Sequence, residues 1–253
     1  MEVVKLSNEY YEELLNSSYL SEGFESVVCK LDDDNLIKMF TYLFHKLFDG
    51  FDWGNDTLEL DQYSKDVYEK LEELTRRQKN IKLTQLPHGV ILYKDYYSGA
   101  LIKYFKNHLP LGEFYKEKGV LVLELYRKYL ECLKELMDNG VYSTDIHMGN
   151  VLVSKDTLKV EPIDLAAFHV LLKNERDLKL EEEVYAKYRA MLCGYLIRLS
   201  KDLDKSKDYK DVLGLSDSLF KSEYSYEYMV WFLEELKKNN KVAEGVVRTR
   251  VMY

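Results

Sequence analysis

Residues 24–31, FESVVCKL, are dense in β-formers, and residues 36–40, LIKMF, are apolar apart from one lysine. Between them lies a polar turn, Asp32-Asp33-Asp34-Asn35. Two short apolar runs about such a turn predict a β-hairpin. Lys38 stands between Ile37 and Met39, so strand alternation turns it to the opposite face from its neighbours. Residues 61–79 are charged, yet Val67, Leu71 and Leu74 recur at helical spacing, which predicts an amphipathic helix. Pro87 and Gly89 stop that pattern. Residues 90–93 and 100–105 then read as two strands around a polar turn ending in Gly99.

The second half follows a different rhythm. Residues 121–137 predict a helix, with Asn139-Gly140 as its stop. A short β-like region covers residues 151–163. Two further helices are predicted over residues 181–199 and 226–238. A strand-rich half thus precedes a helix-rich half, with a boundary within residues 105–110. That order predicts an α+β protein of two lobes, 1–105 and 106–253.

Composition narrows the class. The length of 253 residues suits one large domain or two lobes at roughly 150 residues per domain. With 46% hydrophobic residues and three prolines, the chain is globular. The net charge of −8 lacks the basic surplus of a nucleic-acid binder. Cys29, Cys132 and Cys193 are odd in number and far apart, which argues against a disulfide framework or a zinc site and for a reducing compartment. The opening MEVVKLSNEYYEELL has acids where a signal peptide needs a basic region and an apolar run. No uncharged stretch approaches membrane-spanning length. The expectation is a cytoplasmic protein with neither a nucleic-acid nor a membrane partner.

The chemistry concentrates in residues 142–165, YSTDIHMGNVLVSKDTLKVEPIDL. Asp145 and Asn150 are five apart; an apolar run, a turn and a second run lead on to Asp164. Phosphoryl transfer needs a carboxylate near the acceptor hydroxyl, oxygen ligands for Mg²⁺ and a rigid frame around them. Taken singly, Asp145 also suits a loop cap, Asn150 a turn beside Gly149, and Asp164 a strand end. His147 suits either a phosphate contact or a hydrogen bond to its own loop, and the second is the simpler reading. A P-loop, a G-x-S-x-G elbow and an H-E-x-x-H pair are all lacking.

This segment resembles the catalytic and metal-binding loops of the protein kinase-like superfamily, whose general pattern is H-R-D-x-x-x-x-N followed by D-F-G. The D-x-H-x-G-N form looks more like small bacterial kinases and aminoglycoside phosphotransferases. The resemblance implies a two-lobed kinase-like fold that uses ATP and Mg²⁺. It implies Asp145 as catalytic base and Asn150 and Asp164 as metal ligands. Residues 23–40 look like the phosphate-covering hairpin and the lysine strand, with Gly23 and Phe24 at the loop tip and Lys38 on the phosphates. The helix over residues 61–79 would offer Lys38 a glutamate: Glu69, with Glu72 and Glu73 as competitors. Ile102 would border the adenine, and backbone groups of Lys103 and Phe105 would bind it.

Three features depart from the family pattern. Ser143-Thr144 precedes Asp145, Asp164-Leu165-Ala166 replaces D-F-G, and an A-P-E motif is missing before the helix near Glu181. The implied activity is transfer of phosphate from ATP to a hydroxyl, on protein Ser/Thr or on a small molecule. A nucleotide-binding pseudokinase scaffold is the reading from another class. The acceptor is not named by the sequence.

Overall fold

The computed structural model describes residues 1–22, 26–40, 57–113, 122–164, 168–171, 176–199, 216–220 and 224–238. The chain falls into two compact units, Met1–Lys106 and Asn107–Tyr253.

The first unit is built on one sheet. Its strands are β1 (Glu2–Leu6), β2 (Tyr19–Glu22), β3 (Ser26–Lys30), β4 (Asn35–Phe40), β5 (Gly89–Tyr93) and β6 (Tyr96–Lys103). Their order is β1-β5-β6-β4-β3-β2, antiparallel throughout except for β1 beside β5. Helix α1 (Asn8–Ser17) carries the chain from one edge strand to the other. It starts where Ser7 Oγ accepts the Tyr10 N–H at 3.1 Å, an N-cap. Tyr11 and Leu14 of α1 pack into one cluster with Val27, Cys29, Ile37, Met39, Ile91, Tyr93 and Leu101. One face of the sheet is thereby closed.

Helix α2 (Thr57–Arg77) buries a separate stripe, Val67, Leu71 and Leu74, and lies against β5 and β6. Ser64 Oγ accepts the Tyr97 N–H at 2.7 Å, and the Tyr68 and Tyr97 rings sit 4.6 Å apart. The predicted β3–β4 hairpin is present in register Val28↔Lys38. Its turn is drawn tight by Asp32, whose Oδ1 accepts the N–H groups of Asp34 and Asn35 at 2.7 and 2.8 Å.

The β5–β6 connection differs from the sequence reading. The turn is only Lys94-Asp95, both left-handed at φ 48° and 66°, the two-residue hairpin form. Gly99 is not in it. It sits inside β6, opposite Met39, where a Cβ would stand 2.5 Å from the Lys38 carbonyl oxygen. The polar run 96–98 reads as a loop, but β6 turns Ser98 inward and takes up an irregularity between Ile91 and Leu92.

The second unit contains β7 (His108–Pro110), α3 (Val122–Asp138), β8 (Val141–Ser143), β9 (Val151–Ser154), β10 (Val160–Pro162), β11 (Phe168–Val170), α4 (Leu178–Leu199) and α5 (Tyr226–Lys238). One sheet runs β10-β9-β7 and another pairs β11 with β8. The predicted stop after α3 is real: Gly140 has φ 69° and donates its N–H to the Met137 carbonyl at 2.9 Å. Helices α3, α4 and α5 share a core with Val151, Val153 and Val160. Several of the abundant tyrosines are core residues here, and Tyr188 spends its hydroxyl on the Tyr126 carbonyl at 2.7 Å. Among the described residues, no helix is long and apolar enough to cross a membrane.

Candidate functional site

In the second unit, helix α3 and Gly140 deliver the chain into β8, which ends at Ser143 against Phe168 of β11. The segment from Thr144 to Asn150 leaves β8 as a loop and closes with a 3-10 turn, Met148–Asn150. The loop is anchored from two sides. Lys187 Nζ of α4 donates to the Thr144 carbonyl at 2.6 Å. The Asn150 N–H donates to the His147 carbonyl at 3.0 Å. Behind it lies Tyr129, whose phenol is pushed well above its ordinary range by burial, with smaller contributions from Cys132 and the charge of Asp145.

Asp145 and Asn150 meet. Asn150 Nδ2 donates to Asp145 Oδ2 at 2.8 Å and to the Asp145 carbonyl at 3.1 Å. Both partners are acceptors only, so the amide orientation is fixed and Asn150 Oδ1 is the oxygen left to bind something else. Asn150 is buried, whereas the Asp145 side chain is 54% exposed. His147 Nε2 lies 3.3 Å from the same Asp145 Oδ2, and its Nδ1 accepts the Gly149 N–H at 3.0 Å. The hydrogen bond from His147 to its own loop is therefore present. The close contact with Asp145 is an addition that the sequence does not announce.

Asp164 reaches the same region through the β9–β10 hairpin. The Ile163 N–H donates to the Asn150 carbonyl at 2.8 Å, which ties the residue before Asp164 to the end of the loop. Asp164 itself has φ 82°, a left-handed conformation that costs a non-glycine residue strain. Asn150 and Asp164 supply an amide oxygen and a carboxylate. That donor set suits Mg²⁺, which takes one or two protein oxygens and completes its shell with phosphate and water. Among the described residues, no group of three or more His, Cys, Asp or Glu forms an all-protein metal cage.

Beyond β11, Arg176 grips Glu181 of α4, with Nη2 to Oε2 at 2.7 Å, and Asp177 Oδ1 accepts the N–H groups of Lys179 and Leu180 at 3.0 and 3.1 Å. This pair and cap fix the start of α4 without an A-P-E motif.

In the first unit, Lys38 is only 7% exposed. It is a buried ammonium on the sheet face opposite Ile37 and Met39, in register with Ala100 of β6. The helix places the candidate glutamates elsewhere. Glu69 is 49% exposed and lies 3.7 Å from Lys65. Glu72 accepts from the Tyr68 hydroxyl at 3.3 Å. Glu73 is engaged by Arg76 and by Arg77, whose Nη2 is 2.6 Å away. Hydrogen bonding to Arg76, then Arg77, holds the Glu73 carboxyl down at about 2. The structure thus does not bring Glu69 to Lys38: at about 100° per residue, Glu69 is turned half way round the helix from Val67 and Leu71.

Ile102 and Lys103 close β6. The Tyr104 N–H donates to the Asp34 carbonyl at 2.8 Å, while the Leu101 carbonyl accepts from the His88 N–H at 3.1 Å. Ladder groups alternate sides, so the Lys103 N–H and C=O point to the β5 side, past Gly89, the last β5 residue in the ladder. The Lys103 side chain pairs with Asp34 at 3.6 Å. Phe105 follows, half-buried. Gly23 and Phe24 lie outside the described residues.

No family model matches the chain, and no curated protein matches it either. Among solved structures the chain is similar to WbdD, crystallised with the kinase inhibitor LY294002, at a TM-score of 0.52 and 10% identity. The match covers 87% of this chain and 46% of that one, so the chain spans about half the length of its neighbour. The likeness is one of fold alone, a mixed α/β arrangement.

Proposed function

We propose that the protein is an ATP-dependent phosphotransferase that places the γ-phosphoryl group on a hydroxyl, with protein serine and threonine as the leading acceptors. One observation carries the reading. Asn150, five residues after Asp145, spends its amide nitrogen on that aspartate and so has its amide oxygen left as an acceptor, while Ile163 ties the Asp164 segment to the same loop. The fold likeness supports it. Asp145 accepts the proton of the attacking hydroxyl. Asn150 Oδ1 and the Asp164 carboxylate hold Mg²⁺, which when bound neutralises and orients the phosphate oxygens. Lys38 contributes a buried positive charge to the α- and β-phosphates. The Lys103 and Phe105 backbone takes the adenine edge, with Ile102 against its face.

The test is incubation with labelled ATP and Mg²⁺, with a protein extract and a small-molecule pool supplied separately. Label in protein supports the reading. A small-molecule acceptor is the second reading, favoured because α4 begins at Leu178, soon after Asp164. Label confined to small molecules would select it. ATP binding with no turnover on any acceptor would replace both with a nucleotide-binding scaffold.

A further inference from the structure

We infer that His147 is a positioning residue for Asp145, the group that decides which carboxylate oxygen meets the acceptor; this rests on the phosphotransfer reading above. His147 Nδ1 accepts the Gly149 N–H at 3.0 Å, so the neutral ring carries its proton on Nε2. That Nε2 faces Asp145 Oδ2 at 3.3 Å. The same Oδ2 accepts from Asn150 Nδ2 at 2.8 Å. One hydrogen bond and one close ring contact fall on the same oxygen, and Oδ1 is left for the reaction. In the transfer, the acceptor oxygen bonds to the γ-phosphorus. The β–γ bridging oxygen leaves with the bond pair as part of ADP, and the hydroxyl proton passes to Oδ1.

Gly149 is the independent sign that the ring is held by design. A Cβ at that position would stand 2.9 Å from His147 Cε1 and 3.0 Å from Nδ1. The imidazole lies against its own loop because residue 149 has no side chain. Asp145 and His147 are each 54% exposed, and an exposed pair contributes little to stability. Its consequence is orientation of the carboxylate.

Three substitutions separate orientation from simple loop support. His147→Asn keeps an acceptor where Nδ1 stands, for the Gly149 N–H, and deletes the ring nitrogen that faces Asp145. His147→Gln keeps an N–H near the Nε2 position and gives up the loop bond. Gly149→Ala displaces the ring. Turnover is measured on the full chain with Mg²⁺-ATP, using casein as protein acceptor and water as the competing one. His147→Asn and Gly149→Ala should lower kcat about tenfold to a hundredfold, the scale of a misplaced reacting group, with KM for Mg²⁺-ATP within about twofold. Their melting temperatures should stay within about 2 °C of wild type. His147→Gln should recover kcat to within about threefold. Unchanged kcat in His147→Asn, beside an active wild type, overturns the inference and leaves phosphotransfer standing. So does a His147→Gln variant as impaired as His147→Asn. A wild type that turns over neither of these acceptors nor any member of the small-molecule pool overturns both.

Discussion

The two units hold their charged groups in opposite ways. Asp145 is exposed and kept in place by hydrogen bonds made within a few residues along the chain. Lys38 is buried and kept in place by a sheet whose neighbouring strand comes from some sixty residues downstream, β4 beside β6. A loop site of the first kind depends on side-chain chemistry. A strand site of the second kind depends on backbone fit around it. Substitutions should therefore damage rate without stability at the first, and stability together with rate at the second.

The largest effect is expected at Asp145. Asp145→Asn keeps the shape and deletes the charge, and turnover should fall about 10²–10⁴-fold, the usual cost of losing a general base. Mg²⁺-ATP binding should persist near the wild-type level. Asp164→Asn should lose turnover and the Mg²⁺-dependent part of ATP affinity as well. Calorimetric titration with and without Mg²⁺ reads both, and normal turnover by Asp145→Asn would end the catalytic assignment.

Next comes the sheet. Gly99→Val forces a side chain onto the Lys38 main chain, where even a Cβ stands at 2.5 Å. Overpacking of this kind costs about 1–3 kcal/mol, read as a lower denaturation midpoint. Lys38→Met is the complementary change. It should abolish most turnover and impair turnover more than folding, because the lysine would position the phosphates. A stable, fully active Lys38→Met protein would remove Lys38 from the site.

A smaller effect is expected at Glu73. Its folded carboxyl is held at about 2, below the ordinary value of 4.5. A lowered value stabilises the fold above the ordinary one and is lost as pH falls from about 4.5 towards about 2. Glu73→Gln should flatten the melting temperature over that acid range, in a thermal melt series against wild type. The smallest effect belongs to Glu69→Ala. An exposed pair at 3.7 Å is worth about 0–1 kcal/mol, and activity should be unchanged. Loss of turnover there would reinstate Glu69 as the partner of Lys38.

The β3–β4 hairpin was legible because β-formers cluster on both sides of a polar turn, and α2 because apolar residues recur at helical spacing. The Asp145–Asn150 spacing was legible because it is local. Strand β1 was not, since it is an edge strand exposed along most of its length and carries Glu2 and Lys5 among its valines. Gly99 read as turn because residues 96–98 are polar, and only the partner strand shows why a glycine is required. The likeness of Glu69 to its apolar neighbours was one of sequence adjacency, which a helix undoes by turning them apart. The His147–Asp145 contact depends on a ring lying over Gly149, a matter of space that no residue spacing encodes.

The parallel pairing of β1 with β5 also has a consequence for biosynthesis. Val3 finds its partner only in Val90. At about 5–20 residues per second, the roughly 90 residues between them take on the order of 5–20 s to emerge from the ribosome. For that interval β1 is a strand without its template, open to pairing with any neighbouring nascent chain. Glu2 and Lys5, which blur the strand in the sequence, are the charges that discourage such pairing until β5 arrives.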